Sequence, residues 1–496
     1  MMKYDIAIIG SGLGSLVCGY ILSKEGFNVC ILEKHSRLGG CLQTFEREGC
    51  IFDTGVHYVG GLDEGQILNR YFRYFGLMDK LKVKKLDTYF DHIAFSDKTY
   101  YYATGYDNFV ETLAESFPGE KKNLQNYVKR IKEMSGEFPL YNLKEVSPIV
   151  METILYRERA HEFITSVTKN ERLQNILAGT NPLYAGIKNK TPLYIHALIN
   201  NANIESTWRF VDGSSQIAEL LAESIRAHGG TVRTGAEVGR LLFGNGSIQY
   251  AELKNGERIE AKSFISGIHP SLTLDMIEKT RIRNAYRHRI NTLQNSISSF
   301  IMYLVFKENT FPYLNHNLYY YDRDDVWLAD DYVPSGWPGG YMLFTPASSK
   351  SDIYAECMTV MTFMNYNEVK VWEDTAVGRR GEEYLQFKQQ KTEQLTDLVA
   401  RQFPGIRKQI KACYSSSPLT YRDYTGTKYG ATYGIQKDST EIMKTIILPM
   451  TKVPNLFLTG QNTNIHGVLG VTIGAVLTCG QFLDINYLVR KISAAS

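Results

Sequence analysis

An excess of charge of either sign is missing from this sequence: 55 lysines and arginines stand against 52 aspartates and glutamates, a net charge of +3 over 496 residues. That balance leaves no electrostatic footprint for nucleic acid. Also missing is any run of about 18 uncharged apolar residues that would read as a membrane span. The nearest candidate, 465–483, is broken by Gly467, Gly470, Gly474 and Gly480. The seven cysteines are scattered at 18, 30, 41, 50, 357, 413 and 479, with no CxxC pair. No metal site is expected from that spacing, and an odd, unclustered set fits a reducing compartment better than a disulfide scaffold. The apolar run near Met1 passes straight into a glycine-rich turn, which does not fit a signal peptide. Repeats and low-complexity tracts are lacking too. The expectation is a cytoplasmic chain, with peripheral contact to a membrane surface left open.

The length suggests two or three domains. A hydrophobic fraction of 44% and a charged fraction of 22% are those of a globular protein. The chain is rich in aromatics, with 33 Tyr, 23 Phe and 4 Trp. Such side chains suit the walls of a cavity for a long apolar ligand, although a tyrosine-rich genome would give the same count.

Residues 4–9 (YDIAII) form a short continuous apolar run ending at Gly10, the pattern of a strand buried on both faces of a parallel sheet. Leu13, Leu16, Val17, Tyr20 and Ile21 then recur at helical spacing, and Gly26 sits where a helix C-cap belongs. A second apolar run, 28–32, is closed by Glu33. Strand, glycine turn, helix, strand and acid make a βαβ nucleotide-binding unit. Further on, Ser214 or Ser215 is placed to cap a helix carrying Ile217, Leu220, Leu221 and Ile225. Asn255-Gly256 marks a tight hairpin, 298–307 reads as a strand and 378–403 holds a long helix. Residues 77–207 read as mostly helical after a strand pair at about 92–103, and 276–429 as mixed. The basic run Lys279, Arg281, Arg283, Arg287 and Arg289 reads as a solvated helix face or a patch for anionic lipid. In Tyr319-Tyr320-Tyr321, neighbours on a strand point to opposite faces.

In the first turn, Gly10 permits the tight bend and Gly12 lets the backbone approach a pyrophosphate at a helix N-terminus. The third small position of the pattern is Ser15, with Gly14 one place earlier. Glu33 is positioned to accept ribose hydroxyls, which favours an unphosphorylated ribose, as in FAD or NAD. Lys34-His35-Ser36-Arg37-Leu38-Gly39-Gly40 adds a second glycine pair that a simple NAD domain does not need and a flavoprotein uses. Arg37 could neutralise phosphate or stand solvated at the surface. No second strand–GxGxxG–helix unit follows residue 40, so electrons must come from a nicotinamide (NAD(P)H) without its own domain or from a separate reductase.

The runs LEKHSRLGGC and FDTGVHYVGG (52–61), the block 211–238 and the tail 454–475 together resemble the retinol saturase branch of the carotenoid desaturase and isomerase superfamily. The resemblance spans the chain in order, strong in three FAD segments and weak between them. It implies an α/β fold: a discontinuous Rossmann-like FAD-binding domain (1–76, 208–275 and 430–496) with an inserted α+β substrate domain and a helical, membrane-facing subdomain (77–207 and 276–429). It implies that the backbone around Val238 meets the adenine, that Gly460-Gln461 lies near the flavin and that Gly470-Val471 begins a helix. It further implies that a bound flavin carries the redox chemistry on a bulky apolar polyene, with protein groups orienting the substrate. Saturating a double bond also needs a proton, and His57, Tyr58 and His466 are candidate donors because each lies in a segment expected beside the isoalloxazine. Asp53 is expected to bond local backbone.

Two alternatives keep the flavin: a desaturase, or a cis–trans isomerase with no net redox change. An amine oxidase of the same architecture would carry an arginine after the glycine pair, where this chain has Cys41. A flavin-less relative that binds prenylated proteins need not retain Gly12, Glu33, Gly39-Gly40 and Gly460. No spacing supports a Ser-His-Asp hydrolase.

Overall fold

A computed structural model describes residues 3–146 and 157–495. The ranges read above as 1–76, 77–207 and 430–496 therefore include positions outside the described residues.

The strand Lys3–Ile9 pairs in parallel with Val29–Leu32 on one side and with Arg258–Ser266 on the other. Thr231–Arg233 extends the sheet beyond Val29–Leu32, and Leu456–Leu458 lies parallel to Arg258–Ser266. An antiparallel meander of Val238–Gly244, Ser247–Leu253 and Arg258–Ser266 completes seven strands, with the Asn255-Gly256 turn inside it. Complete burial of residues 6–9 and of Val29–Leu32 explains why these two stretches are unbroken apolar runs. The helix Leu13–Lys24 packs against both Ser215–Ala227 and Gly467–Cys479. Three distant parts of the chain thus make one sheet-and-helix layer.

A second seven-stranded sheet runs Ile410–Ser416, Ser298–Phe306, Cys357–Met364, Gly340–Phe344, Asn317–Tyr321, Tyr89–Ala94, Thr99–Ala103. Every residue of Ser298–Phe306 and Cys357–Met364 is buried. Tyr384, Leu395, Leu398 and Val399 of the long helix Glu382–Gln402 pack with Phe300, Met302 and Leu304 on one face. Tyr319 and Tyr321 join the main core on the other face, and Tyr320 joins the helix side, as strand alternation requires. Helices Tyr106–Ser116, Lys121–Gly136, Ala160–Val167, Glu171–Leu177 and Leu193–Glu205 form the helical part.

Two local readings are corrected. Ser214 does not cap its helix: its hydroxyl and amide both go to Asp53 Oδ1, at 2.7 and 2.8 Å. The hydroxyl is thus turned toward the buried Asp53 carboxyl and accepts from no helix amide. The basic run is not a uniformly solvated helix face. It splits into a turn, Lys279–Arg281, and a short helix, Asn284–Thr292, and Arg287 donates to the carbonyls of Leu274 and Ile277. Arg287 thereby serves the last turns of the preceding helix Pro270–Asp275. Among the described residues, no helix is long and apolar enough to cross a membrane.

Candidate active site

One cavity of about 590 Å³ runs between the two sheets. The first wall is the glycine turn. Gly10 takes φ +84°, reachable without strain only by glycine. The backbone at Gly12 bridges to Gly39, whose N–H donates to the Ser11 carbonyl at 3.1 Å, so the two glycine pairs are fastened together. A methyl on Gly12 would meet nothing within 4 Å, so its open side faces the cavity. A methyl on Gly14 would lie 2.8 Å from the Gly460 nitrogen; that glycine seats the first helix against the C-terminal turn. Ser15 lies outside the cavity lining and packs on Gly267, the role expected of a small third residue.

Glu33 is buried and lines the cavity. One of its oxygens accepts from the Ser11 amide and hydroxyl at 2.9 and 2.6 Å, and the other from the His35 amide at 2.8 Å. An ionised carboxylate has about four acceptor positions, so one stays open for a ligand hydroxyl. Lys34 also lines the cavity. Arg37 does not: it is exposed and donates to the Thr44 carbonyl at 2.9 Å.

The helix Gly467–Cys479 enters from the far side with His466 at its N-cap and no side-chain cap, and Leu13–Lys24 is likewise uncapped at Gly12. Two helix N-termini with free N–H groups thus converge on one cavity, an arrangement that attracts anionic or electron-rich groups. Gly460, Gln461, Gly470 and Val471 line this end, and Val238 lines the opposite one. The cradle that a Cβ at Gly12 would enter, the half-open Glu33 carboxylate and the two uncapped helices fit a dinucleotide such as FAD.

The remaining walls are mostly apolar: Leu183, Leu198, Ile199, Met342, Phe344, Met361 and Ile465. Leu198 and Ile199 come from the helix Leu193–Glu205, which approaches very closely. A methyl on Gly60 would stand 2.4 Å from the Ala202 carbonyl carbon. Tyr421 and Tyr424, from the helix Pro418–Thr425, close another side, and His35 stacks on Tyr424. Sequence reading missed this helix because nothing in its pattern separates a cavity wall from ordinary core.

All three candidate proton donors line the cavity. His57 stacks on Phe344 at 4.5 Å, and its buried Nε2 has no hydrogen-bond partner. Burial and then the Arg209 charge pull it down to about 4, so it is neutral. His466 donates from Nε2 to the Leu183 carbonyl at 3.0 Å, and burial pulls it down to about 4 as well. With that proton committed, only Nδ1 is left as an acceptor. Tyr58 shares a short hydrogen bond with the Tyr319 hydroxyl and lies 3.5 Å from Asp91 Oδ2. Burial, and after it the neighbouring Asp91, push the Tyr58 phenol well above its ordinary value, so it keeps its proton. Asp53 bonds Ser214, and burial lifts its carboxyl to about 6.

Lys437 carried no signal in the sequence. It is buried and donates to the carbonyls of Thr445, Asn462 and Thr463 at 2.9, 3.1 and 3.1 Å. It thereby fixes the backbone directly after Gly460-Gln461. Burial pulls its ammonium down to about 7.

A nucleotide sheet with two uncapped helix ends, opening onto an apolar chamber, defines a flavin-dependent oxidoreductase. The chain belongs to the family of flavin containing amine oxidoreductases, whose pattern matches residues 16–478. It is 26% identical to the all-trans-retinol 13,14-reductase of Danio rerio, over 99% of this chain and 88% of that protein. It is 23% identical to the chloroplastic prolycopene isomerase of Daucus carota, over 87% of this chain and 72% of that protein. In structure it superposes on an oxidoreductase from Methanosarcina mazei with a TM-score of 0.65, at 15% identity, covering 96% of this chain and 99% of that one.

Proposed function

We propose that this enzyme saturates a carbon–carbon double bond in an apolar polyene or isoprenoid, a retinol-like molecule. The observation that carries the reading is the single cavity in which a glycine-lined nucleotide cradle opens directly onto walls of Leu, Ile, Met and Phe. Similarity to retinol 13,14-reductases along nearly the whole chain supports the same substrate class.

Gly10, Gly12, Gly14, Gly39 and Gly40 would hold the diphosphate, with Lys34 at its rim. Glu33 would take ribose hydroxyls, Val238 the adenine, and Gly460, Gln461, Gly470 and Val471 the flavin. When bound, the flavin supplies a hydride to the substrate. The chain's own residues do the rest: the apolar walls hold the polyene and exclude water, and a side chain delivers a proton to the second carbon. Tyr58 Oη is the donor we favour: its phenol lines the cavity and keeps its proton in the neutral range, whereas His466 spends its N–H on the Leu183 carbonyl and the N–H of a neutral imidazole such as His57 is a far weaker acid than a phenol. His57 and His466, both neutral, would orient substrate. The electron donor is NAD(P)H visiting the flavin or a separate reductase, and a substrate of this class is drawn from a membrane that the protein touches peripherally.

The test is anaerobic. The bound flavin is reduced with light, all-trans-retinol and a panel of polyenes are added, and the return of flavin absorbance is followed. Reoxidation with a product two hydrogens heavier supports the reading; a flavin that stays reduced with every polyene defeats it for those substrates. The prolycopene isomerase relative favours a second reading, isomerisation, which would appear as product of unchanged mass.

A further inference from the structure

Asp91 is completely buried on the strand Tyr89–Ala94, yet among the described residues no cationic side chain forms an ion pair with it. Its Oδ1 accepts from Asn317 Nδ2 at 2.7 Å across the parallel strand pair. The Asn317 oxygen in turn accepts from Arg209 Nη2 at 2.9 Å. Its two amino groups also donate to Tyr313 and to the carbonyls of Leu314, His316 and Thr345, while its buried Nε finds no partner among the described residues. An amide is thus interposed between cation and carboxyl, so the Arg209 charge does not hold Asp91 ionised by direct contact. Asp91 Oδ2 faces Tyr58 Oη at 3.5 Å, and Tyr58 is the group that reaches the cavity.

Resting on the proposed reaction, we propose that Asp91 is the proton reservoir behind Tyr58. Each time the Tyr58 O–H breaks and its proton forms the new C–H bond, the Asp91 Oδ2–H bond breaks and its proton restores the phenol, leaving Asp91 as the carboxylate. The hydride and its two electrons come from the reduced flavin, so the residues exchange protons only. Burial lifts the Asp91 carboxyl to about 7, which keeps the acid form populated near neutrality. The reservoir is needed because a tyrosinate in this chamber is strongly disfavoured: Tyr58 and Tyr319 are both pushed well above the ordinary phenol value, first by burial. Asp91 is a positioning residue in this scheme, since it acts through Tyr58.

The groups around Asp91 that bear on its titration come from every packed element. They are Tyr58 from the cavity loop, Arg209 from Thr207–Phe210, Tyr319 and Tyr321 from Asn317–Tyr321, and Tyr102 from Thr99–Ala103. His57 and His316, near Arg209, and His92, stacked on His316, are held neutral by burial down to about 3 or 4.

The test uses flavin-loaded protein, with Asp91→Asn and Tyr58→Phe made singly and together and flavin content checked in each. Because the acid form donates, the wild-type rate of reoxidation by polyene should fall as pH rises through about 7. Asp91→Asn should lower the rate by about tenfold or more at pH ~6 and abolish that limb. In the Tyr58→Phe background it should cost nothing further, and Tyr58→Phe alone should also lack the limb, so the proposal survives a poorly folding Asp91→Asn. Independently of turnover, infrared difference spectra should show protonated-carboxyl absorption at pH ~6 that vanishes by pH ~8, and Asp91→Asn should lose the component that titrates near about 7, leaving that of Asp53 near about 6. An unchanged limb in Asp91→Asn, or carboxyl absorption that the substitution leaves unchanged, overturns the proposal. A wild type that saturates no polyene defeats the reading of the reaction, while the infrared arm, which needs no substrate, still decides whether Asp91 stores the proton.

Discussion

Replacing Gly12 by alanine should separate ligand binding from folding. Gly12 has φ −62° and ψ 166°, a conformation that any residue adopts, and a methyl there meets no protein atom within 4 Å. Alanine lowers the entropy of the unfolded chain, worth about 0.4–1 kcal/mol, but is a poorer N-cap than glycine by a similar amount. The two terms offset, so the flavin-free variant should melt within about 2 °C of wild type. The same methyl, however, projects into the cradle where the diphosphate must pass. Flavin affinity should collapse, and with it the ligand-linked stabilisation, about 2.7 kcal/mol at a hundredfold excess over the dissociation constant. Gly14→Ala supplies the contrast. Its methyl would lie 2.8 Å from the Gly460 nitrogen and 3.0 Å from the Gly460 Cα, against the roughly 3.5–4.0 Å that unstrained contacts require. Backbone must move, at about 1–3 kcal/mol, and both flavin-free and flavin-loaded protein should melt lower. Calorimetry of both forms, with bound flavin per chain read by absorbance, distinguishes the two patterns. A Gly12→Ala protein that retains flavin with wild-type affinity refutes the placement of the diphosphate.

Lys437→Met leaves the carbonyls of Thr445, Asn462 and Thr463 without their shared donor; we expect about 2 kcal/mol or more of lost stability and weaker flavin binding, read by melting and flavin titration. Gly60→Ala sets a methyl 2.4 Å from the Ala202 carbonyl carbon, so the helix Leu193–Glu205 must retreat; we expect soluble protein with flavin bound and substrate turnover impaired, and an unaltered rate would show that this wall does not touch substrate. Acid should destabilise the fold. His57, His92, His196, His316 and His466 are all pulled by burial to about 3 or 4, below the ordinary histidine value, so between about pH 6.5 and 4 the unfolded chain binds protons that the folded chain refuses. The buried carboxyls of Asp53 and Asp91, raised to about 6 and about 7, act in the opposite direction but number two against five. The unfolding free energy read from urea titrations should therefore drop from pH 7 to pH 5, by about 1.4 kcal/mol per pH unit for each uncompensated histidine, and a flat profile would contradict it.

The nucleotide half of the site was legible because its signals are local. Gly10, Gly12, Glu33 and Gly39-Gly40 sit within 31 residues, and each spacing answers to a turn, a helix start or a strand end. The tail around Gly460 was legible through resemblance. The network behind Tyr58 was not, for a physical reason: Asp91, Arg209, Asn317 and Tyr319 are joined only by the pairing of strands far apart in the chain. Each looks like an ordinary strand residue until the sheet forms. The Ser214 reading failed in a related way. A serine ahead of an amphipathic helix is a good local reason for a cap, but Asp53, 161 residues earlier, takes its hydroxyl.

The strand Arg258–Ser266 is flanked by Lys3–Ile9, from the beginning of the chain, and by Leu456–Leu458, from near its end. A ribosome adding about 5–20 residues per second needs roughly 20 s or more to pass from the first glycine turn to the second. During that interval the nascent chain exposes half a cradle and an unpaired strand edge, and no cofactor can be captured. Flavin should therefore load only after the C-terminal turn has been made, and truncation ahead of residue 456 should yield a chain that neither binds flavin nor stays soluble, however intact its first 450 residues.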